Sequence, residues 1–138
     1  MTVVGYVPGA YDMFHIGHLR ILQRAREQCD HLIAGVVTDE VVVSAKNKQP
    51  VVPHAERIAI VRGLSCVDEA VPDWSSDKFL MWEQLRFDVI FKGDDWKGTP
   101  KGDRLESSLG AVGVRVVYYP YTTHTSSTLL RQILIDSA

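Results

Sequence analysis

Cysteine is scarce in this chain. Only Cys29 and Cys66 occur among its 138 residues, in separate segments and without the C-x-x-C spacing of a metal or redox pair. This pattern favours buried apolar roles in a reducing compartment over a catalytic or bridging role. A chain of this length forms one domain, which can bury a layered core without disulfides or a structural metal.

Long apolar runs and a dominant charge are also missing. No stretch approaches the roughly 18 residues that span a bilayer, and the first residues lack the basic and apolar regions of a signal peptide. We therefore expect a cytoplasmic protein without membrane insertion. The 15 basic and 17 acidic side chains give a formal net charge of −2. This balance argues against nucleic acid as a partner but allows a local basic pocket for a phosphorylated small molecule.

Short β-rich runs alternate with segments of helical periodicity. Strands are predicted at residues 3–7, 32–37, 69–71, 89–91 and 114–119, the first ended by Pro8 and the third by Pro72. Helices are predicted from Gly17, at 39–44, after Pro53, and at 78–85, 105–109 and 126–135. This alternation indicates an α/β fold, a Rossmann-like, doubly wound parallel sheet with helices on both faces.

The predicted fold is a single domain over residues 1–138, and it is compatible with a whole enzyme or with one domain of a longer one. No internal repeat, linker or low-complexity tract interrupts it. Ligands of such sheets bind beyond the carboxyl ends of the strands. The loops after Val7, Phe91 and Tyr119 are therefore where we expect the chemistry.

The loop after the first strand carries the strongest chemical signal. Gly9 lets the backbone approach a ligand closely, and His15 and His18 stand three residues apart at a predicted helix start, so they share one face. A helix N-terminus presents unpaired N–H groups and a positive dipole end, which favour an anion. We interpret the two imidazoles as donors to phosphate oxygens; capping or surface histidines are the alternative.

The string Gly9-Ala10-Tyr11-Asp12, followed by His15-Ile16-Gly17-His18, resembles the nucleotidyltransferase superfamily with the HxGH signature. Further matching segments follow in the family's order at 36–40, 46–48, 53–57, 67–69, 92–96 and 126–128. Together they resemble the cytidylyltransferase family, in particular its glycerol-3-phosphate branch, with choline- and ethanolamine-phosphate cytidylyltransferases as cousins. Class I aminoacyl-tRNA synthetases share the signature but are far longer.

This resemblance implies in-line attack of a substrate phosphate oxygen on the α-phosphorus of a nucleoside triphosphate, with release of pyrophosphate. It implies that His15, His18 and Lys46 are catalytic, and that Lys46 also contacts the acceptor with Arg57 and Tyr121. The nucleotide-binding residues that it implies are Gly9, Ala10, Tyr11, Gly17, Asp94, Asp95, Trp96, Thr122, Ser126, Ser127 and Thr128. The protonation of the histidines stays open, because a helix N-terminus lowers the pKa of a histidine and a triphosphate raises it.

The same resemblance implies Mg²⁺ as the cofactor, and Asp12 either helps to hold it or merely fixes its loop. The implied partners are CTP, a small phosphate or phosphonate acceptor, and a second copy of the chain in a homodimer with residues 67–69 near the interface. Two rival functions stay open. One is an adenylyltransferase of the same fold that uses ATP, of the FAD-synthetase-like or heptose-phosphate type. The other is a non-catalytic nucleotide-binding module, against which the intact histidine pair argues.

Three departures from the glycerol-3-phosphate branch concern the acceptor. Tyr121 replaces one family arginine, the pair Ser65-Cys66 covers the position of a second, and Ala10 replaces a threonine. Arginine is the usual bidentate partner of a phosphate, so these losses affect the acceptor and not the nucleotidyl transfer. The candidates are glycerol 3-phosphate, a short hydroxyalkyl phosphonate and other alcohol phosphates.

Overall fold

The computed structural model describes residues 2–120 and 126–137. Its strands are β1 (Val4–Gly9), β2 (His31–Val37), β3 (Glu69–Asp73), β4 (Val89–Gly93) and β5 (Arg115–Tyr119). Its helices are α1 (Ile16–Glu27), α2 (Asp39–Lys46), α3 (His54–Arg62), α4 (Lys78–Leu85), α5 (Pro100–Gly110) and α6 (Ser127–Ser137), with a 3₁₀ turn at Asp94–Trp96. The strands form one parallel sheet in the order β3-β2-β1-β4-β5. The predicted single-domain, Rossmann-like fold is confirmed.

Two prolines were expected to end strands, and both predictions are wrong. β3 continues through Pro72 because it is an edge strand, where a missing N–H can be tolerated. β1 continues through Pro8 for a related reason. The backbone N–H and carbonyl of Val4 hydrogen-bond to Asp88, which directly precedes β4. Backbone groups four residues apart along a strand point to the same side, so the nitrogen of Pro8 also faces β4. β1 pairs with β4 only at Gly5 and Tyr6, so no partner there needs a donor from Pro8.

One helix is longer than its sequence pattern indicated. α5 was predicted at 105–109, but it begins at Pro100. Thr99 caps it by accepting from the backbone N–H of Gly102, at 3.2 Å between oxygen and nitrogen. Proline suits the first helical position because that N–H has no helical partner in any case. The Gly/Lys-rich composition therefore concealed a regular helix start.

Apolar side chains pack on both faces of the sheet. On one face, residues of α1 and α3, including Leu22 and Val61, pack against alternate strand residues. On the other, Met81 of α4 and Leu105 of α5 pack with Tyr6. The chain runs outward from β1 to β3 and then returns to place β4 beside β1, so the topological switch lies between β1 and β4. No helix in the described part of the chain is long and apolar enough to cross a membrane.

Candidate active site

A cavity of roughly 1690 Å³ opens at the carboxyl ends of the strands, at the switch between β1 and β4. It is bordered by the β1–α1 loop, the ends of α2, β4 and β5, and the start of α6. Pockets for one small ligand usually measure about 300–1000 Å³. This cavity is therefore large enough for two substrates at once, and it lies at the three loops that the sequence singled out.

Positive charge is concentrated in the cavity. Among the described residues, three acidic side chains line it: Asp12, Asp77 and Asp95. Nine of the chain's 15 basic side chains do so: Arg20, Arg24, Lys46, Lys48, Lys78, Lys92, Lys101, Arg104 and Arg131. A protein with a net charge of −2 thus presents a basic cavity, which attracts an anionic ligand.

His15 and His18 form a reciprocal cap at the start of α1. The Nδ1 atom of His15 accepts from the backbone N–H of Gly17 at 3.0 Å, and Nδ1 of His18 accepts from the backbone N–H of His15 at 3.1 Å. A nitrogen that accepts a hydrogen bond carries no proton, so each neutral ring carries its proton on Nε2. Both histidines border the cavity, and Nε2–H is the ring donor that their caps leave available.

The surroundings of the histidines keep both rings neutral. Burial lowers the pKa of His15. Burial, the neighbouring His15 and the charge of Lys46 lower the pKa of His18 to about 3, although Asp12 acts in the opposite direction. The ring centroids of the two histidines lie 4.0 Å apart, so two positive charges at this distance would repel strongly. In the free protein the pair therefore offers two neutral N–H donors.

Tyr11, one of the predicted nucleotide-binding residues, packs its buried ring beneath the β1–α1 loop. Its side chain is 3% exposed, and its hydroxyl donates to the carbonyl of Val7 at 2.8 Å. The ring also lies 5.5 Å from that of His18, between centroids. Gly9, Ala10 and Gly17 border the cavity directly. The Tyr11 ring thus positions the loop and the histidine, and only a small edge of it is open to a ligand.

Asp12 joins three segments around the loop. Its carboxylate accepts from the backbone N–H groups of Val51 and Val52 and from Arg131, each at 2.9 Å. Its carbonyl accepts from the Ser127 hydroxyl at 2.6 Å. These donors occupy the carboxylate, which is 3% exposed, and the described residues contain no group of three acidic, histidine or cysteine ligands. These contacts favour the loop-fixing alternative for Asp12, and its role as a Mg²⁺ ligand stays a prediction.

Arg57, the predicted acceptor contact, lies outside the cavity lining. It is 1% exposed, and its guanidinium donates to three carbonyls and one carboxylate. These acceptors are the carbonyls of Ala10, Val37 and Val52 and the carboxylate of Asp39. Arg57 thus ties the ends of β1 and β2 to the segment before α3. The structure assigns it a structural role in place of the predicted contact, because it is buried and four of its five N–H donors are used by internal acceptors.

Lys46 is the last residue of α2, although the sequence placed it in a polar loop. Asn47 ends this helix with a φ of 54°, in the left-handed region that asparagine tolerates. The side chains of Lys46 and Lys48 border the cavity, as expected for phosphate-binding lysines. A lysine in the last turn of a helix can change position more readily than one in the middle of a helix.

The remaining predicted nucleotide contacts come from β4 and α6. Asp95 and Trp96 border the cavity, whereas Asp94 lies just outside its lining. Ser126, Ser127 and Thr128 border it at the start of α6, where Ser126 Oγ accepts from the backbone N–H of Leu129 at 3.0 Å. Tyr121 and Thr122 lie outside the described residues.

Several basic residues of the cavity have no role assigned from the sequence, and Lys92 and Arg131 are among them. Lys92 lies near the end of β4, directly after the buried residues of the strand. Its ammonium lies 3.9 Å from the ring centroid of Trp96. Arg131 lies one helical turn after Ser127, a spacing that places both side chains on one face of α6. The signal for Arg131 was therefore available in the helix period. Nothing in the sequence distinguishes Lys92 beyond its place in the 92–96 string.

The protein-family comparison provides the deciding observation: the family model described as cytidylyltransferase-like matches residues 6–133. The chain belongs to the cytidylyltransferase-like family. The predicted family resemblance is thus confirmed, and the protein is a nucleotidyltransferase by its family. The match begins within β1, covers the other four strands in full and ends within α6.

Individual relatives of this cytidylyltransferase-like protein agree with that assignment. It is 31% identical to glycerol-3-phosphate cytidylyltransferase of Bacillus subtilis (strain 168), over 90% of this chain and 91% of the relative. It is 35% identical to ethanolamine-phosphate cytidylyltransferase of Arabidopsis thaliana, over 70% of this chain, and spans about a quarter (24%) of that longer protein. The lipopolysaccharide core biosynthesis protein from Thermoplasma volcanium GSS1 has a similar fold. Its TM-score is 0.74 at 22% identity, over 91% of this chain and 100% of that one.

Proposed function

We propose that the protein transfers CMP from CTP to a small phosphorylated or phosphonylated alcohol and releases pyrophosphate. The observation that carries this proposal is the pair of neutral Nε2–H donors at the start of α1, inside a basic cavity. Such donors suit the α-phosphate, because the transition state needs positioning and charge neutralisation more than proton transfer. The named relatives support cytidine as the base and a phosphorylated alcohol as the acceptor.

The start of α6 is the proposed site of the leaving pyrophosphate. Its free N–H groups and the positive end of the helix favour an anion, and Ser127 holds this end against the loop through Asp12. Arg131 adds a fixed positive charge one turn later, oriented by Asp12 at 2.9 Å. Within the described residues the Arg131 guanidinium donates only to Asp12, and its side chain borders the cavity, so further guanidinium donors remain for a phosphate oxygen.

The reaction needs no general base from the protein. A phosphate monoester or phosphonate oxygen of the acceptor is already ionised near neutral pH. This oxygen forms the new bond to the α-phosphorus, and the bond from that phosphorus to the bridging oxygen of pyrophosphate breaks. The electron pair leaves with the pyrophosphate, whose charge His15, His18 and Arg131 help to balance. Mg²⁺ enters as part of the substrate, MgCTP, because Asp12 is already occupied.

A release assay tests this function directly. Pyrophosphate is measured with CTP, ATP, GTP and UTP, each with glycerol 3-phosphate, ethanolamine phosphate or a two-carbon hydroxyalkyl phosphonate. We expect release with CTP that depends on both the acceptor and Mg²⁺. A preference for ATP would indicate the adenylyltransferase instead. CTP binding without release for any acceptor would indicate the non-catalytic module.

A further inference from the structure

Lys92 lies on the sheet face that carries α4 and α5. Ile90 of the same strand packs into the core beneath these helices, and side chains two residues apart along a strand point to the same face. Lys92 continues this row past the apolar core and reaches the cavity lining. Its place therefore differs from that of the histidines, which start α1 beside the opposite face.

The partners of Lys92 distinguish it from its buried neighbour Lys78. The ammonium of Lys78 donates to the Asp73 carboxylate at 2.8 Å and to the Ser75 carbonyl at 2.9 Å, so its charge is compensated. The ammonium of Lys92 lies 3.9 Å from the Trp96 ring centroid and forms no ion pair with any described carboxylate. Lys92 is thus a partly buried cation with ammonium donors left for a ligand.

The electrostatic surroundings of Lys92 match those of an anion subsite. Burial and, after it, the charges of Lys78 and Lys46 together lower the pKa of Lys92 to about 8, although Asp95 and Asp73 act in the opposite direction. Lys46 also acts on His18, so it lies within electrostatic reach of both the histidine pair and Lys92. A bound dianion would relieve the repulsion among the three lysines and favour the charged form of Lys92.

In-line transfer divides the cavity into two sides. The attacking oxygen and the leaving pyrophosphate lie on opposite sides of the α-phosphorus. The proposed leaving-group side is the start of α6, which Asp12 and Arg131 hold beside the α1 loop. The acceptor then approaches from the side of α4 and β4, where Lys92 carries the uncompensated charge.

We infer that Lys92 binds the phosphate or phosphonate group of the acceptor and sets the enzyme's preference for an acceptor with this anionic group. This inference rests on the proposed nucleotidyl transfer. It assigns to Lys92 the charge that Arg57, with all its contacts internal, does not offer.

Steady-state kinetics of Lys92→Met, with the best acceptor from the release assay, tests this role. We expect the acceptor KM to rise about 10–100-fold, the scale of one charge-assisted hydrogen bond, with the CTP KM within about twofold of wild type. Lys92→Arg retains the charge and is expected to restore most of the acceptor affinity. Lys97→Met is the matched control, since Lys97 is exposed and outside the cavity lining, and its acceptor KM should not change.

A second measurement uses the wild-type protein and does not depend on how a variant folds. Labelling of Lys92 by an amine-reactive reagent should slow at least severalfold in saturating methylphosphonate, while labelling of Lys97 should not. An unchanged acceptor KM in folded Lys92→Met, a larger effect on the CTP KM, or unprotected Lys92 would each overturn the inference. In those cases the wild type still releases pyrophosphate. If the wild type releases no pyrophosphate with any combination of nucleotide and acceptor, the proposed function itself is wrong.

Discussion

Two groups of charged side chains lie at the same end of the sheet and differ in how many of their donors and acceptors are already used. The group of Arg57, Asp12 and Asp39 is occupied by internal contacts that join β1, β2 and the segment before α3. The group of His15, His18 and Lys92 keeps donors open to the cavity. Residue type alone does not separate the two groups. Their free hydrogen-bonding capacity does.

The largest expected effect is the loss of protein stability when the Arg57 contacts are removed. Arg57→Met leaves three partly buried carbonyls and Asp39 without their donor, so we expect the free energy of unfolding to fall by about 3–5 kcal/mol. Urea unfolding measures this change. Arg62→Met, in the same helix at an exposed position, should change it by less than about 1 kcal/mol. A stable Arg57→Met variant with a raised acceptor KM would restore the original sequence-based assignment.

The next effect concerns turnover. Removing one of two positioned donors should lower kcat of His18→Ala by about 10²–10³, with little change in CTP affinity. His31→Ala is the control, because His31 pairs with Glu69 at an exposed position far along the sheet from the cavity lining. Near-wild-type kcat in folded His18→Ala would remove this histidine from the mechanism.

A smaller effect appears in the pH dependence of stability. The folded-state pKa of His18 is lowered to about 3, whereas an unfolded histidine titrates near 6.5. Between these values the unfolded chain binds the extra proton, so stability is fully present above about pH 6.5 and is lost as the pH falls towards 3. The contribution of one proton is at most about 1.4 kcal/mol per pH unit.

The difference between wild type and His18→Gln isolates this pH term. We expect the stability of the wild type to decline more steeply below pH 6.5 than that of the variant, by urea unfolding at each pH. Parallel pH profiles for the two proteins would show that His18 titrates normally in the folded state. In that case the histidine pair would not be held neutral by its surroundings.

The smallest effect concerns Lys46 at the end of α2. If this lysine closes over the nucleotide, MgCTP should reduce its labelling by an amine-reactive reagent severalfold. Lys97, outside the cavity lining, provides the internal control in the same mass spectrum. Equal labelling of Lys46 with and without MgCTP would count against a closing role.

Much of the fold was predictable because short β-rich runs and helical periods are local patterns. The errors at Pro8 and Pro72 arose because tolerance of a missing N–H depends on which strand lies beside it, and strand order is not a local property. The HxGH loop was recognisable for the same local reason, since its spacing places both rings at one helix start.

The assignments within the site were less predictable. A motif match places Arg57 and Asp12 near the ligand but does not show that residues from distant segments already occupy them. Lys92 was missed for the opposite reason, because the motif does not show that its charge lacks a partner. Only the packing of β4 against α4 and α5 shows that no described carboxylate pairs with it. The protonation of His18 became clear only when its Nδ1 contact with the backbone was known.

Nitrogen-15 NMR of the His15 and His18 rings shows whether the pair is held neutral and donates to the nucleotide. At pH 6 we expect neutral rings with an unprotonated Nδ1 and a protonated Nε2, and on addition of MgCTP we expect a shift at Nε2 and little change at Nδ1. The same spectra of His31 provide a reference for an exposed histidine. Rings protonated on both nitrogens at pH 6 without ligand, or Nε2 signals indifferent to MgCTP, would contradict this expectation.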